Sequence, residues 1–195
     1  MLNLLYRPLI YLRIKTDEKY KVWVDFYLPI SIALVLSIVL FWLYMDQNID
    51  VFAVENKLIS SIAGFLQTLP GFFIAALAAI ASFPSDAMGQ PIPGNAPYLP
   101  NSNLTTDGRD KLNRRRYLCY LFAYLTYISI IGFLFTTFIV FLHSFSLNLF
   151  LPILYFGYWL SCLVFFFILM QIIFLTFIGL WYLGERIHIN DPASS

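Results

Sequence analysis

The side chains best suited to chemistry are few and scattered. His143, His188, Cys119 and Cys162 lie apart, without the neighbours a metal site requires and with no CxxC pair. No metal, cofactor or catalytic residue is expected, and the chain is not expected to be an enzyme. The densest charged feature is basic: Arg109, Lys111, Arg114, Arg115 and Arg116. Its chemistry is attraction of anions, and beside an anionic surface each charge gains about 1 kcal/mol. A third feature is a tyrosine stripe, Tyr117, Tyr120, Tyr124 and Tyr127, whose hydroxyls could reach a polar surface or bond to Gln171; aromatic packing is its plainer role.

The elements that position these groups follow from composition. With 60% hydrophobic and 12% charged residues, a soluble fold of this size could not hide its apolar surface, so the expected class is an all-α polytopic membrane protein. Four apolar stretches predict transmembrane helices over 26–45, 58–83, 117–142 and 152–182. Trp23, Tyr27, Trp42 and Tyr44 edge the first, as an interfacial belt requires. Within these bounds the spans contain no Asp, Glu, Lys, Arg or His, which argues against an intramembrane protease or a carboxylate-coupled carrier.

Outside the spans, residues 1–25 alternate around Thr16-Asp17-Glu18-Lys19 in the period of a β-hairpin, although Met1–Leu12 could instead lie as an interfacial helix. Short loops cover 46–57 and 143–151. Residues 84–116 form a Pro-rich extended loop and then the start of a basic helix capped by Thr105, Thr106 or Asp107. Residues 183–195 make a polar tail. Four helices in up-down order predict a simple bundle. Eleven of the twelve Lys and Arg residues fall in the first segment, the middle loop or the tail, leaving Lys57 alone on the other side. That asymmetry predicts cytoplasmic termini and a cytoplasmic middle loop, an N-in/C-in topology. There the basic cluster can anchor to anionic phospholipid, face a partner, or simply fix topology. Direct nucleic-acid binding is not expected, because the same leaflet repels phosphate.

The second span has the most informative pattern. Ser61, Gly64, Thr68, Gly71, Ala75, Ala78 and Ser82 recur at steps of three and four, opposite Ile62, Leu66, Leu69, Phe73, Leu77 and Ile80. A narrow face lets another backbone come close, so it is expected to meet protein: within the subunit, between copies, or as a pore lining or hinge. Pro70 removes a backbone donor and predicts a kink at Pro70-Gly71, with Gln67 placed to satisfy the freed Leu66 carbonyl.

A basic KTDEKYKVWVDFYLP segment before the first span, LPGFFIAALAAIASF in the second, and a Pro-rich loop ending in RDKLNRRRYLCYL together resemble the membrane subunit of the Kiwa anti-phage defence system. The resemblance implies a bacterial inner-membrane protein that assembles with itself, a tetramer being favoured, and with a cytoplasmic DNA-binding partner subunit. It implies no catalytic residues. Beside this sensor or scaffold reading stand a pore that depolarises the cell, for which only Gln67 and hydroxyls offer a lining, and a subunit of a larger transport machine.

Overall fold

The computed structural model describes residues 6–16, 20–47, 49–53, 56–82, 89, 97–100, 109–144 and 151–186. The capping residues 105–107, His188 and most of the Pro-rich loop and tail lie outside them. The described chain is mostly helical, and four helices are long and apolar enough to cross a membrane: Trp23–Gln47, Lys57–Ser82, Arg114–Ser144 and Leu154–Gly184. It is a multi-pass membrane protein.

A 3-10 turn, Arg7–Leu9, runs into α1, Ile10–Arg13. A single turn, Tyr20–Val22, and a π-helical turn, Trp23–Tyr27, then lead into α2, Leu28–Gln47. The other long helices are α3, Lys57–Ser82, α4, Arg114–Ser144, and α5, Leu151–Trp181, which ends in a π turn, Tyr182–Arg186.

Neighbours in sequence are not all neighbours in space. The packing order is α2, α5, α4, α3, so α2 and α3, joined by a short loop, share no comparable interface. The loop between them buries Val51 and Phe52, and Phe52 packs against Tyr158 and Phe165 of α5 and His143 of α4. Two middle helices thus separate the first span from the second, where a simple bundle was expected.

Close packing uses small residues, but not the predicted stripe. On α2, Pro29, Ala33 and Ser37 are buried at four-residue steps. On α4, Ser129, Gly132 and Thr136 are buried. A methyl group at Gly132 would stand 2.9 Å from Ile168 Cγ2, and one at Gly179 would stand 3.1 Å from Phe122 Cζ, so these glycines set the helix separations. On α3 the bulky side faces inward: Ile59, Leu66, Leu69, Phe73 and Ile80 are buried against α4. Ser61, Gly64, Thr68, Gly71, Ala75, Ala78 and Ser82 are all exposed, and nothing lies within 4 Å of a methyl group built at Gly64 or Gly71. Packing of that stripe within the subunit is therefore overturned: Leu and Phe side chains fill the gap to α4 and hold the small side away.

The helix runs unbroken through Pro70. Gln67 is exposed and makes no side-chain hydrogen bond among the described residues, so it does not serve the Leu66 carbonyl.

Two expectations outside the spans also change. The described residues of the first segment form no hairpin, and most of its expected turn, 17–19, lies outside them: Tyr11 and Ile14, three residues apart, are the buried pair, while Leu12 is exposed. Among the described residues of the segment only Lys15 bridges, and it does so to the distant Tyr98, through two backbone bonds of 2.9 Å. Tyr98 belongs to β1, Tyr98–Pro100, antiparallel to β2, Arg109–Lys111, with Tyr98 opposite Lys111. Arg109 and Lys111 are therefore strand residues, and the helix begins only at Arg114. The cause is the pairing itself: the backbone of Arg109–Lys111 is engaged by β1, and Leu112 N–H continues it to the Pro97 carbonyl at 2.9 Å.

Candidate functional site at the basic end

The first segment, the small sheet, the start of α4 and the close of α5 gather at one end of the spans, here the basic end. Tyr11 stacks on Tyr124 of α4 at 5.2 Å, and Tyr117 of α4 packs on Tyr182 after α5 at 5.1 Å.

At the centre is Asp25, 1% exposed, in the π turn at the head of the first span. The expected absence of ionisable groups from the spans depended on starting the first one at Phe26; the helix starts earlier and carries Asp25 into the packed interior. Lys21, one turn back, donates to its Oδ2 at 2.7 Å, and Tyr11 donates to Oδ1 at 3.1 Å. The Lys21 ammonium also lies 4.3 Å from the centre of the Tyr11 ring, a cation–π contact. Burial first, then Tyr117 and Asp25, push the Tyr11 phenol well above its ordinary value, so it keeps its proton and remains a donor.

The backbone of Asp25 explains the rest. Pro29, four residues on, has no N–H to offer the Asp25 carbonyl, and the helix widens so that Leu28 N–H bonds to the Trp23 carbonyl. Gln171 of α5 fills the vacancy: its Nε2 donates to the Asp25 carbonyl at 3.0 Å, and its Oε1 accepts from the Tyr124 hydroxyl at 3.0 Å. The role assigned to Gln67 at Pro70 is carried out here by Gln171 at Pro29. The bond between a stripe tyrosine and Gln171 was legible in the sequence. Asp25, Lys21 and Tyr11 were not picked out, although Lys21, Asp25 and Pro29 at four-residue steps, just ahead of an apolar run, are a usable signal.

The four basic residues whose side chains are described, Lys111, Arg114, Arg115 and Arg116, do not form one surface; the side chain of Arg109 lies outside the described residues. Arg116 makes a two-pronged pair with Asp110 of β2, at 2.9 and 3.3 Å. Lys111 is exposed. Arg115 is half-buried, and Arg114, expected to face lipid or a partner, is 4% exposed. As the first residue of α4, Arg114 shares the helix face of Tyr117, Leu118 and Leu121, which packs inward.

At the far end, Asp50 of the α2–α3 loop meets His143 Nδ1 at 3.1 Å, and Tyr158 accepts a bond from Val51 N–H at 3.2 Å. Burial alone would raise Asp50, but His143 and the Phe52 and Ala53 amides outweigh it and hold the carboxyl below its ordinary value. Among the described residues no group of His, Cys, Asp and Glu is arranged to hold a metal, and both cysteines are free thiols. No protein-family model, curated protein or solved structure matches the chain.

Proposed function

We propose that this chain is a homo-oligomeric scaffold and sensor in the bacterial inner membrane, part of an anti-phage defence complex. It responds to phage-induced perturbation of the bilayer and recruits a DNA-binding effector on the cytoplasmic side. The observation that carries the assembly part is the open face of α3. Gly64, Thr68 and Gly71 lie exposed along one side of this helix, beside the exposed rings of Phe65 and Phe72, with Gln67 near mid-span. Lipid chains offer an amide no hydrogen bond, whereas Gln67 of a second copy both donates and accepts. Copies inserted in the same sense bring equal depths together, so the same residue meets itself.

Thr68 and Ser82 turn their hydroxyls back to the carbonyls of Phe65 and Ala78, at 2.8 and 2.7 Å, which favours packing over an ion-lining face. The defence setting rests on the Kiwa resemblance, and the cytoplasmic placement of the basic end on the positive-inside rule. Membrane sensing would act on the basic end, where the first segment, three helices and the small sheet meet.

The test is oxidative crosslinking at an introduced Ala75→Cys, with and without Gly71→Leu. The leucine should abolish the crosslinked species while leaving insertion and the thermal midpoint of the subunit unchanged. An identical ladder in both proteins sinks the assembly reading. Affinity purification should recover one soluble DNA-binding companion; a lone oligomer that conducts in a planar bilayer would replace the scaffold with a pore.

A further inference from the structure

The contact between α3 and α4 does not close at the far end. A cavity of about 230 Å³ lies there, between the first turns of α3 and the last turns of α4. Ile59 and Thr136 on its floor are buried, whereas Ser60 and Thr137 on its rim are exposed, so it opens to the outside of the helix pair.

The polar side chains around it are already engaged. Ser60 donates to the Lys57 carbonyl at 3.0 Å, Thr137 to the Phe133 carbonyl at 3.0 Å and Thr136 to the Gly132 carbonyl at 2.7 Å. Asn56 donates to the Asp50 carbonyl and accepts from Leu58 N–H. A water held here would need two or more polar partners, and the wall is almost entirely carbon. What the cavity accepts is therefore apolar. An apolar cavity of about 150 Å³ takes a guest the size of benzene, so this one takes a run of methylenes.

Depth and charge select the guest. At roughly 1.5 Å per residue, Ala63 on the cavity wall stands about 9 Å further along α3 than Lys57, a step from the membrane surface into hydrocarbon. An empty cavity forfeits the dispersion contacts of its lining, and acyl chains are the apolar matter beside it. Lys57 is exposed, lies one turn from Ser60 on the rim, and makes no ion pair among the described residues. Its ammonium is a compact charge on a flexible stem, suited to a headgroup phosphate.

From these observations we infer that the cavity between α3 and α4 is a lipid site, holding one acyl chain of an anionic phospholipid whose phosphate meets Lys57. The inference does not depend on how copies assemble, since Ile59, Ser60 and Ala63 lie off the small-residue stripe.

The test reconstitutes the full chain in vesicles of phosphatidylethanolamine and phosphatidylglycerol. A trace of phosphatidylglycerol carries a photoreactive diazirine on one chain, and adducts are mapped by peptide mass spectrometry. A diacylglycerol probe with the same chains serves for comparison. Phosphatidylglycerol should label the buried Ile59 and Thr136, which lipid merely surrounding the protein does not reach, as well as the exposed Leu134 and Phe138. Ala63→Phe, which puts a ring into the cavity, should cut labelling of Ile59 and Thr136 at least tenfold and leave that of Leu134 and Phe138 unchanged. Lys57→Gln should cut cavity labelling at least threefold for the phosphatidylglycerol probe and not for the diacylglycerol. Adducts confined to exposed side chains in wild type overturn the inference without any variant, and this is also the result if a second copy fills the cavity. Equal labelling of Ile59 and Thr136 by the two probes in wild type overturns the phospholipid assignment. Full cavity labelling in a folded Ala63→Phe overturns the site itself; if that variant does not insert, wild type and Lys57→Gln decide.

Discussion

At the basic end, Asp25 is 1% exposed and receives Lys21 and Tyr11 on its carboxylate and Gln171 on its carbonyl. At the far end, Asp50 keeps a side chain 28% exposed and meets a histidine exposed to the same degree. Both aspartates join segments distant in sequence, but the difference in burial sets what each is worth. A buried carboxylate that loses a partner strands the other polar groups away from water, whereas at the far end water can replace what is lost. The first cluster ties the first segment, the head of α2, α4 and α5 together; the second clips a loop to the end of α4.

Asp25→Ala should separate the two ends most. It leaves the Lys21 ammonium and the Tyr11 hydroxyl without their acceptor and should cost about 3–5 kcal/mol. Denaturant titration in detergent should show it, together with protease cleavage near Lys15 as the first segment detaches; a loss no greater than that from the far-end change would erase the distinction. Gln171→Leu is a milder probe, since it orphans one carbonyl and one hydroxyl without stranding a charge. A loss of about 1–2 kcal/mol is expected. Amide exchange around Asp25 should rise in step, and unchanged exchange there would separate Gln171 from the π turn.

The smallest effect belongs to His143→Ala, below about 1 kcal/mol at neutral pH. Its effect depends on pH. Because Asp50 is depressed in the folded state, its contribution is complete above the unfolded value near 3.8 and is lost as pH falls through the lower folded value. Thermal midpoints should therefore fall further between pH 5 and pH 3 in wild type than in His143→Ala. Parallel curves would remove the pair from the account.

Sequence by itself determined the four spans, because hydrocarbon requires every backbone group to be satisfied within a helix of about 20 apolar residues. It also determined that α3 has one bulky and one narrow side, since both are periodicities of a single helix. Which side faces the protein was decided by tertiary structure: Leu66, Leu69 and Phe73 found space against α4, while Gly132 and Gly179, inconspicuous in the chain, became the close contacts. The central site was likewise a matter of three dimensions. Tyr11, Asp25, Tyr124 and Gln171 are linked across separations of 14, 47 and 146 residues. Local pattern carries the state of a segment, but a hydrogen bond across such distances exists only once packing has set the order of the helices, here α2, α5, α4, α3.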